Sequence, residues 1–361
     1  MKTVNVELAE RSYVIYIGSG LLNTIGDYLR EVVSAKKAAL ISDENVYNFY
    51  GERAEQSLKQ SGFEVFSYVT EPGEKSKSIE VAKKIYDFLY DAKIERSDVL
   101  VALGGGVIGD LTGFIAGTWL RGIPFVQVPT TLEADIDASV GGKTAVNHPK
   151  GKNLIGLFNQ PKTVLMDTDT LKTLSQRDIR AGLAESIKHA IIRDFDFFEY
   201  HKKHRDKILS LDSSLIEDLL ARNCKIKSEV VSADEREANL RAILNYGHTI
   251  GHAIESAGLY QLRHGEAVAL GMIAAGFIAV ERKMFSPEEF SEMENLIKEY
   301  QLPIRLSELD FSVLYELMKR DKKVKSGKIR FVLPNKIGRV EIVDDVSIDS
   351  IKAAIEYIGQ E

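Results

Sequence analysis

Hydrophobic and polar positions change rhythm part-way along the chain. In the first half, short apolar runs alternate with segments of helical spacing. Ala38–Ser42 (AALIS) predicts a short buried strand. A polar, helix-like segment follows through Gln60, and Phe63–Val69 (FEVFSYV) predicts another strand. Ser78–Ala92 spaces its apolar residues as a helix does, and Asp98–Leu103 (DVLVAL) is a continuous apolar run stopped by three glycines. Phe125–Pro129 and Thr163–Asp167 predict further strands. Strands alternating with helices imply a mostly parallel sheet covered on both faces.

From about Ser175 to Lys325 the periodicity is almost all helical, as in SSLIEDLLARNCKIKSEVVSADE and SPEEFSEMENLIKEYQL. Ser286-Pro287-Glu288-Glu289 is a helix start, with a serine cap, proline in the first turn and acids near the positive end. Near the end, KIRFVLP and GRVEIV predict one hairpin. The switch in period puts a boundary near Ser175, giving an α/β domain over 1–174 and a helical domain over 175–361. The longest apolar stretch, Ala267–Val280, is 14 residues between Glu266 and Glu281. A bilayer needs ~20, so it is expected to be a buried helix and not a membrane span.

Composition narrows the function classes. The 361 residues are 44% hydrophobic and 28% charged, with a net charge of −6, an ordinary globular mix. That balance argues against a nucleic-acid partner, which needs a basic surface to displace counterions. The one cysteine, Cys224, cannot form an internal disulfide, which fits a reducing compartment. The first residues, MKTVNVELAERSY, lack the apolar core of a signal peptide. The expected location is cytoplasmic.

Three stretches carry candidate chemistry. In VLVALGGGVIGDLTGF, the residues Gly104, Gly106 and Gly109 satisfy G-x-G-x-x-G between an apolar strand and a helical pattern, with Gly105 between the first two. Such glycines let backbone N–H groups approach a pyrophosphate at a helix N-terminus; the bland reading is a tight strand–helix turn. The acid expected ~20 residues on, at the end of the next strand, is not clean: only Glu133, Asp135 and Asp137 are near. Asp137–Asn153 gathers Lys143, Lys150, Lys152, Asn147, Asn153 and His148 among small residues. Lysines acting as point charges with exposed backbone amides suit a phosphate, and a basic surface loop is the alternative.

The third is NYGHTIGHAIESAGLYQLRHGE (Asn245–Glu266), which holds three of the seven histidines. His248 and His252 have i, i+4 spacing, but Thr249 stands where a zinc protease carries its glutamate. A catalytic zinc takes three protein ligands from His nitrogen and carboxylate oxygen. His248 and His264 supply two, and Glu185, Glu255 or Glu266 could supply the third. Arg241, Asn245, His248 and His252 would line one stripe if the helix began early enough, with Gly247 against it. Upstream, Glu185 and Lys188 share a helical face.

Taken together, GGGVIGDLTGF, RGIPFVQVPTT, DASVGGKTAVNHPKGKNLIG, RAGLAESIK, LNYGHTIGHAIE, HGEAVALGM and DKK resemble the dehydroquinate synthases, sugar-phosphate cyclases of the shikimate pathway that feeds aromatic amino-acid biosynthesis. The stretches run in family order from about Pro72 to Lys323. The resemblance implies a Rossmann-like N-terminal domain for NAD and an all-α C-terminal domain, with substrate and a divalent metal (zinc or cobalt) in the cleft between. By motif it implies Glu185, His248 and His264 as metal ligands and His252 facing the substrate. Lys143, Lys152, Asn153, Lys188, Arg241, Asn245 and one lysine of the DKK run, Lys322 or Lys323, would meet the substrate's phosphate and carboxylate. Asp137 would lie near the reacting hydroxyls, and Arg121 would reach the phosphate of the neighbouring subunit in a homodimer. NAD would touch Asp43, Asn45, Glu74, Lys75, the glycine loop, Asp110, Thr130, Thr131 and Thr173, with Lys143 and Lys152 nearby.

The implied reaction converts 3-deoxy-D-arabino-heptulosonate 7-phosphate to 3-dehydroquinate and phosphate. A hydride passes to NAD, phosphate leaves, the hydride returns, and an intramolecular aldol closes the ring. The substrate's own phosphate can accept the elimination proton, which removes the need for a glutamate after His248. The chain departs from the family pattern at Glu133, Ala138, Ala145, Ser186 and His189. These changes keep open a related cyclase with another substrate, beside an NAD- and metal-dependent glycerol (phosphate) dehydrogenase of the same architecture.

Overall fold

The computed structural model describes residues 1–237, 239–258, 262–320 and 328–360. They fold as two compact units: Met1–Leu174 with Ser213–Glu235, and Ser175–Asp212 with Arg236–Glu361.

The strands of the first unit are β1 (Lys2–Val6), β2 (Tyr13–Gly18), β3 (Lys37–Asp43), β4 (Glu64–Thr70), β5 (Val99–Gly104), β6 (Phe125–Pro129), β7 (Lys143–His148), β8 (Gly151–Phe158) and β9 (Thr163–Asp167). Seven of them form one sheet in the order β1-β2-β9-β6-β5-β3-β4. All its pairings are parallel except β1 with β2. Every residue of β5, β6 and β9 is buried, because helices cover both faces of a parallel sheet. Along β3 the side chains alternate between two cores. Leu40 joins Leu22, Ile25, Leu29 and Leu58, whereas Ala39 and Ile41 join Ile85, Leu89, Leu111 and Ile115. The chain leaves β3 for β4 on one side and returns to β5 on the other, so the order reverses between β3 and β5. In open α/β sheets, ligands bind outside the carboxyl ends of the strands at such a point. β7 and β8 form a separate antiparallel hairpin, so the lysine-rich segment is ordered structure.

The helix Ser213–Ala233, which the change of period assigns to the second domain, belongs to the first unit. It packs on β1 and β2. Cys224 Sγ lies 3.8 Å from Met166 Sδ of β9, and the N-terminal amine and Lys2 pair with Glu217 and Asp218 at 2.9 and 2.7 Å. Periodicity identifies the helix but says nothing about which partner takes its apolar face.

The second unit is mainly helical. The expected all-α domain contains, among the described residues, the antiparallel hairpin of β10 (Phe331–Lys336) and β11 (Arg339–Val343), which the KIRFVLP and GRVEIV segments foretell. At its centre lies His264–Glu281, an 18-residue helix long and apolar enough to cross a membrane, yet 72% of it is buried. Small residues let its neighbours come close. A Cβ on Gly265 would stand 1.8 Å from the carbonyl oxygen of Ala181, and one on Gly271 would stand 1.8 Å from that of Gly247. Backbone contact with these two glycines fixes the helix Gln176–Arg193 and the start of the helix His248–Ala257 against the His264 helix.

Candidate metal and cofactor sites

Those three helices bring the predicted metal residues of the second unit together. Glu185 is fully buried on Gln176–Arg193. Its Oε1 lies 3.5 Å from His248 Nε2 and 3.4 Å from His264 Nε2. Tetrahedral zinc sites, with bonds of ~2.0–2.2 Å, hold ligand atoms about 3.4 Å apart. Glu185 Oε1 is buried with no hydrogen-bond partner, an orphaned acceptor of the kind that calls for an ion. Burial alone would raise the Glu185 pKa. Lys188, which pairs with its other oxygen, and then His248 and His264 outweigh that and hold it well below the usual carboxylate range. The donor set of one carboxylate and two imidazoles fits a divalent zinc-like cation.

His248 Nδ1 meets the Tyr246 carbonyl at 2.9 Å, and His264 Nδ1 meets Glu255 Oε2 at 3.2 Å. His252 stands close by: a ring nitrogen from each of His248, His252 and His264 lies within 4.8 Å of the other two. Glu266 is committed elsewhere. It takes Arg177 at 2.7 Å through each oxygen and accepts the Arg263 N–H at the start of its helix. Thr249 donates to the Arg330 carbonyl. The stripe from Arg241 to His252 does not form on one helix. Arg241 and Asn245 belong to a 3₁₀ turn, Leu240–Asn245, and Gly247 at φ +77° starts a new helix at His248. Arg241 is buried, and Asn245 Nδ2 donates to Glu237 Oε1 at 2.7 Å.

In the first unit, the predicted NAD residues gather at the carboxyl ends of the parallel strands. Asp43 ends β3 and caps the next turn, accepting from the N–H groups of Asn45 and Val46 at 3.0 and 3.1 Å. Gly104, Gly105 and Gly106 link β5 to the helix Gly106–Thr118. Gly109 lies on that helix where a Cβ would stand 2.6 Å from Gln127 Oε1 of β6, so helix and strand pack closely. Thr130 and Thr131 follow β6, and Thr130 Oγ1 is buried without a partner. Thr173 Oγ1 lies 2.8 Å from Tyr50 Oη in the turn after β9. A glycine-lined strand–helix turn with an unmet hydroxyl beside it fits a dinucleotide.

Glu74 and Lys75 lie in the turn after β4. Glu74 accepts from Asn147 Nδ2 at 2.7 Å, whereas Lys75 is exposed. The buried cation there is Lys77, paired with Asp110. Burial raises the Asp110 pKa, and Lys77 opposes that rise. Asn147 also accepts the Asn153 N–H at 2.9 Å, tying this turn to the β7–β8 hairpin that carries Lys143, Lys152 and Asn153. Asp137 Oδ1 accepts from Lys227 Nζ at 2.7 Å, and Lys227 also reaches the Asp137 carbonyl. Lys77 and Lys227 are buried cations, paired with the predicted site residues Asp110 and Asp137, that motif reasoning passed over. For Lys227 a signal existed: Leu220, Cys224, Lys227 and Val231 lie on one helical stripe, so a lysine occupies an apolar-face position. Arg121 lies in an exposed turn with φ values of +49°, +68° and +118° at Leu120, Arg121 and Gly122. Lys322 and Lys323 lie outside the described residues.

Sequence profiles described as 3-dehydroquinate synthase N-terminal and 3-dehydroquinate synthase C-terminal match residues 67–181 and 182–324. A 3-dehydroquinate synthase from Nostoc punctiforme (strain ATCC 29133 / PCC 73102) is 49% identical over 357 residues, covering 98% of each chain. Among solved structures, the chain is similar to ValA, a 2-epi-5-epi-valiolone synthase from Streptomyces hygroscopicus subsp. jinggangensis 5008 with NAD+ and Zn2+ bound (28% identity, TM-score 0.89, 98% of each chain). It is also similar to a 2-deoxy-scyllo-inosose synthase complexed with carbaglucose-6-phosphate, NAD+ and Co2+ (26% identity, TM-score 0.90, 98% of this chain and 99% of that one).

Proposed function

The chain belongs to the 3-dehydroquinate synthase family, and from that membership we infer that it converts 3-deoxy-D-arabino-heptulosonate 7-phosphate to 3-dehydroquinate and phosphate with NAD and a divalent metal. The observation that carries the metal-dependent reading is Glu185 Oε1, buried and unpartnered at ligand spacing from His248 Nε2 and His264 Nε2.

When bound, NAD supplies a reversible hydride acceptor and the cation supplies Lewis-acid stabilisation of substrate oxygens. Glu185, His248 and His264 hold the cation. Lys188 keeps Glu185 ionised, so the ligand set carries one negative charge and the loaded site stays net positive. His252, beside the ligands, hydrogen-bonds a substrate hydroxyl and relays its proton. Arg241, Asn245 and Lys188 on the second unit bind anionic and hydroxyl groups of the sugar phosphate, as do Lys143, Lys152 and Asn153 on the first. Asp137, held by Lys227, contacts the reacting hydroxyls. Asp43, Asn45, Glu74, Lys75, the glycine loop, Asp110, Thr130, Thr131 and Thr173 bind NAD, with Lys77 beside them. Asp43, on the strand beside β5, takes the part of the acid sought downstream of the glycine loop. The enzyme acts in the cytoplasm as a homodimer in which Arg121 reaches the partner's substrate phosphate.

Chelator-stripped protein given NAD and the heptulosonate phosphate is expected to form no dehydroquinate until zinc or cobalt is added. Turnover that persists without metal contradicts the metal reading, and no turnover in any condition contradicts the substrate.

A further inference from the structure

We infer that Glu255 is a positioning residue for the metal site: it accepts the Nδ1–H of His264 and so keeps that ring's Nε2 facing Glu185. The inference rests on the metal-dependent reading above. Three acids are candidates for the third ligand in the sequence, and the structure gives each a different place. Glu266 is held by Arg177 and the Arg263 N–H. Glu185 lies on the Nε2 side of both histidines. Glu255 Oε2 lies 3.2 Å from the other nitrogen of His264.

A neutral imidazole carries one N–H. The bond made by one nitrogen decides which atom is left with a lone pair for a cation. His248 gets this from the main chain, through Tyr246 O at 2.9 Å from Nδ1. His264 is the first residue of its helix, and it gets the same service from a side chain. Glu255 follows His248 by seven residues on the helix His248–Ala257, hence on the same face. One helix therefore supplies a ligand and also orients the ligand carried by its neighbour.

The test is the Kd for zinc and cobalt, by chelator competition, with the visible spectrum of the cobalt form, on the full chain. Wild type is compared with Glu255→Ala, Glu255→Gln and Glu185→Ala, and metal-free Tm values check folding. Glu255→Ala is expected to bind about 10–100-fold more weakly, the usual cost of removing such a partner, with an altered cobalt spectrum and a metal-free Tm near wild type. Glu255→Gln, whose amide oxygen still accepts the bond, is expected between wild type and Glu255→Ala, and it decides the matter where Glu255→Ala does not fold. Wild-type affinity in both variants overturns the inference. Loss as complete as in Glu185→Ala also overturns it, because Glu255 would then be a ligand. A wild-type protein that binds neither ion overturns the metal reading itself.

Discussion

Asp135 is buried in the first unit, and neither of its carboxylate oxygens has a hydrogen-bond partner. Burial, reinforced by the nearby charge of Asp167, raises its pKa well above the usual carboxylate range. The folded protein therefore keeps a proton that the unfolded chain gives up above about pH 3.9. Stability falls as pH rises from there towards the raised folded value. Asp135→Asn removes that dependence, so the Tm of the variant relative to wild type is expected to climb as pH rises above about 4. A constant difference across that range contradicts the account. At the proposed metal site, His264→Ala is expected to lose bound metal, whereas His252→Ala keeps it and slows turnover by about 10²–10⁴. Equal metal loss in both, read by elemental analysis, would contradict the division of roles between these histidines. Residues such as His248 and His264 were legible because spacing and motif mark them. Lys77 was not, because its meaning lies in its contact with Asp110 across folded loops.

Elements were legible where the pattern is local. The run DVLVAL followed by glycines becomes β5 and the turn into Gly106–Thr118. β1 has no apolar run to mark it, because most of its residues are exposed. The β7–β8 hairpin reads as a loop because every residue of β8 is exposed or half-buried. The polar stripe from Arg241 to His252 failed as a single face because Gly247 breaks the helix with a positive φ. The packing of the His264 helix depends on glycines that no periodicity interprets. Gly271→Ala pushes a methyl into the Gly247 carbonyl, one residue before His248. It is expected to cost stability at the upper end of about 1–3 kcal/mol and to weaken metal binding. Denaturant melts and metal titration check it, and a neutral result would show that the backbone contact is not tight.

At the scale of the molecule, the division after Leu174 coincides with the change from alternating to helical rhythm. The return of Ser213–Glu235 to the first unit does not register in that rhythm, because an amphipathic helix reads alike whichever core receives it. A fragment of residues 1–174 is accordingly expected to lack a cooperative thermal transition, since the sheet face under Leu220, Cys224 and Val231 would be bare. A sharp transition in that fragment contradicts this assignment. The central claim concerns the chemistry of the loaded enzyme, and the ratio of phosphate released to NADH formed tests it most directly. Over many turnovers of the heptulosonate phosphate with NAD and zinc or cobalt, phosphate is expected to accumulate with no net NADH; NADH rising in step with product would make the protein a dehydrogenase and contradict the account.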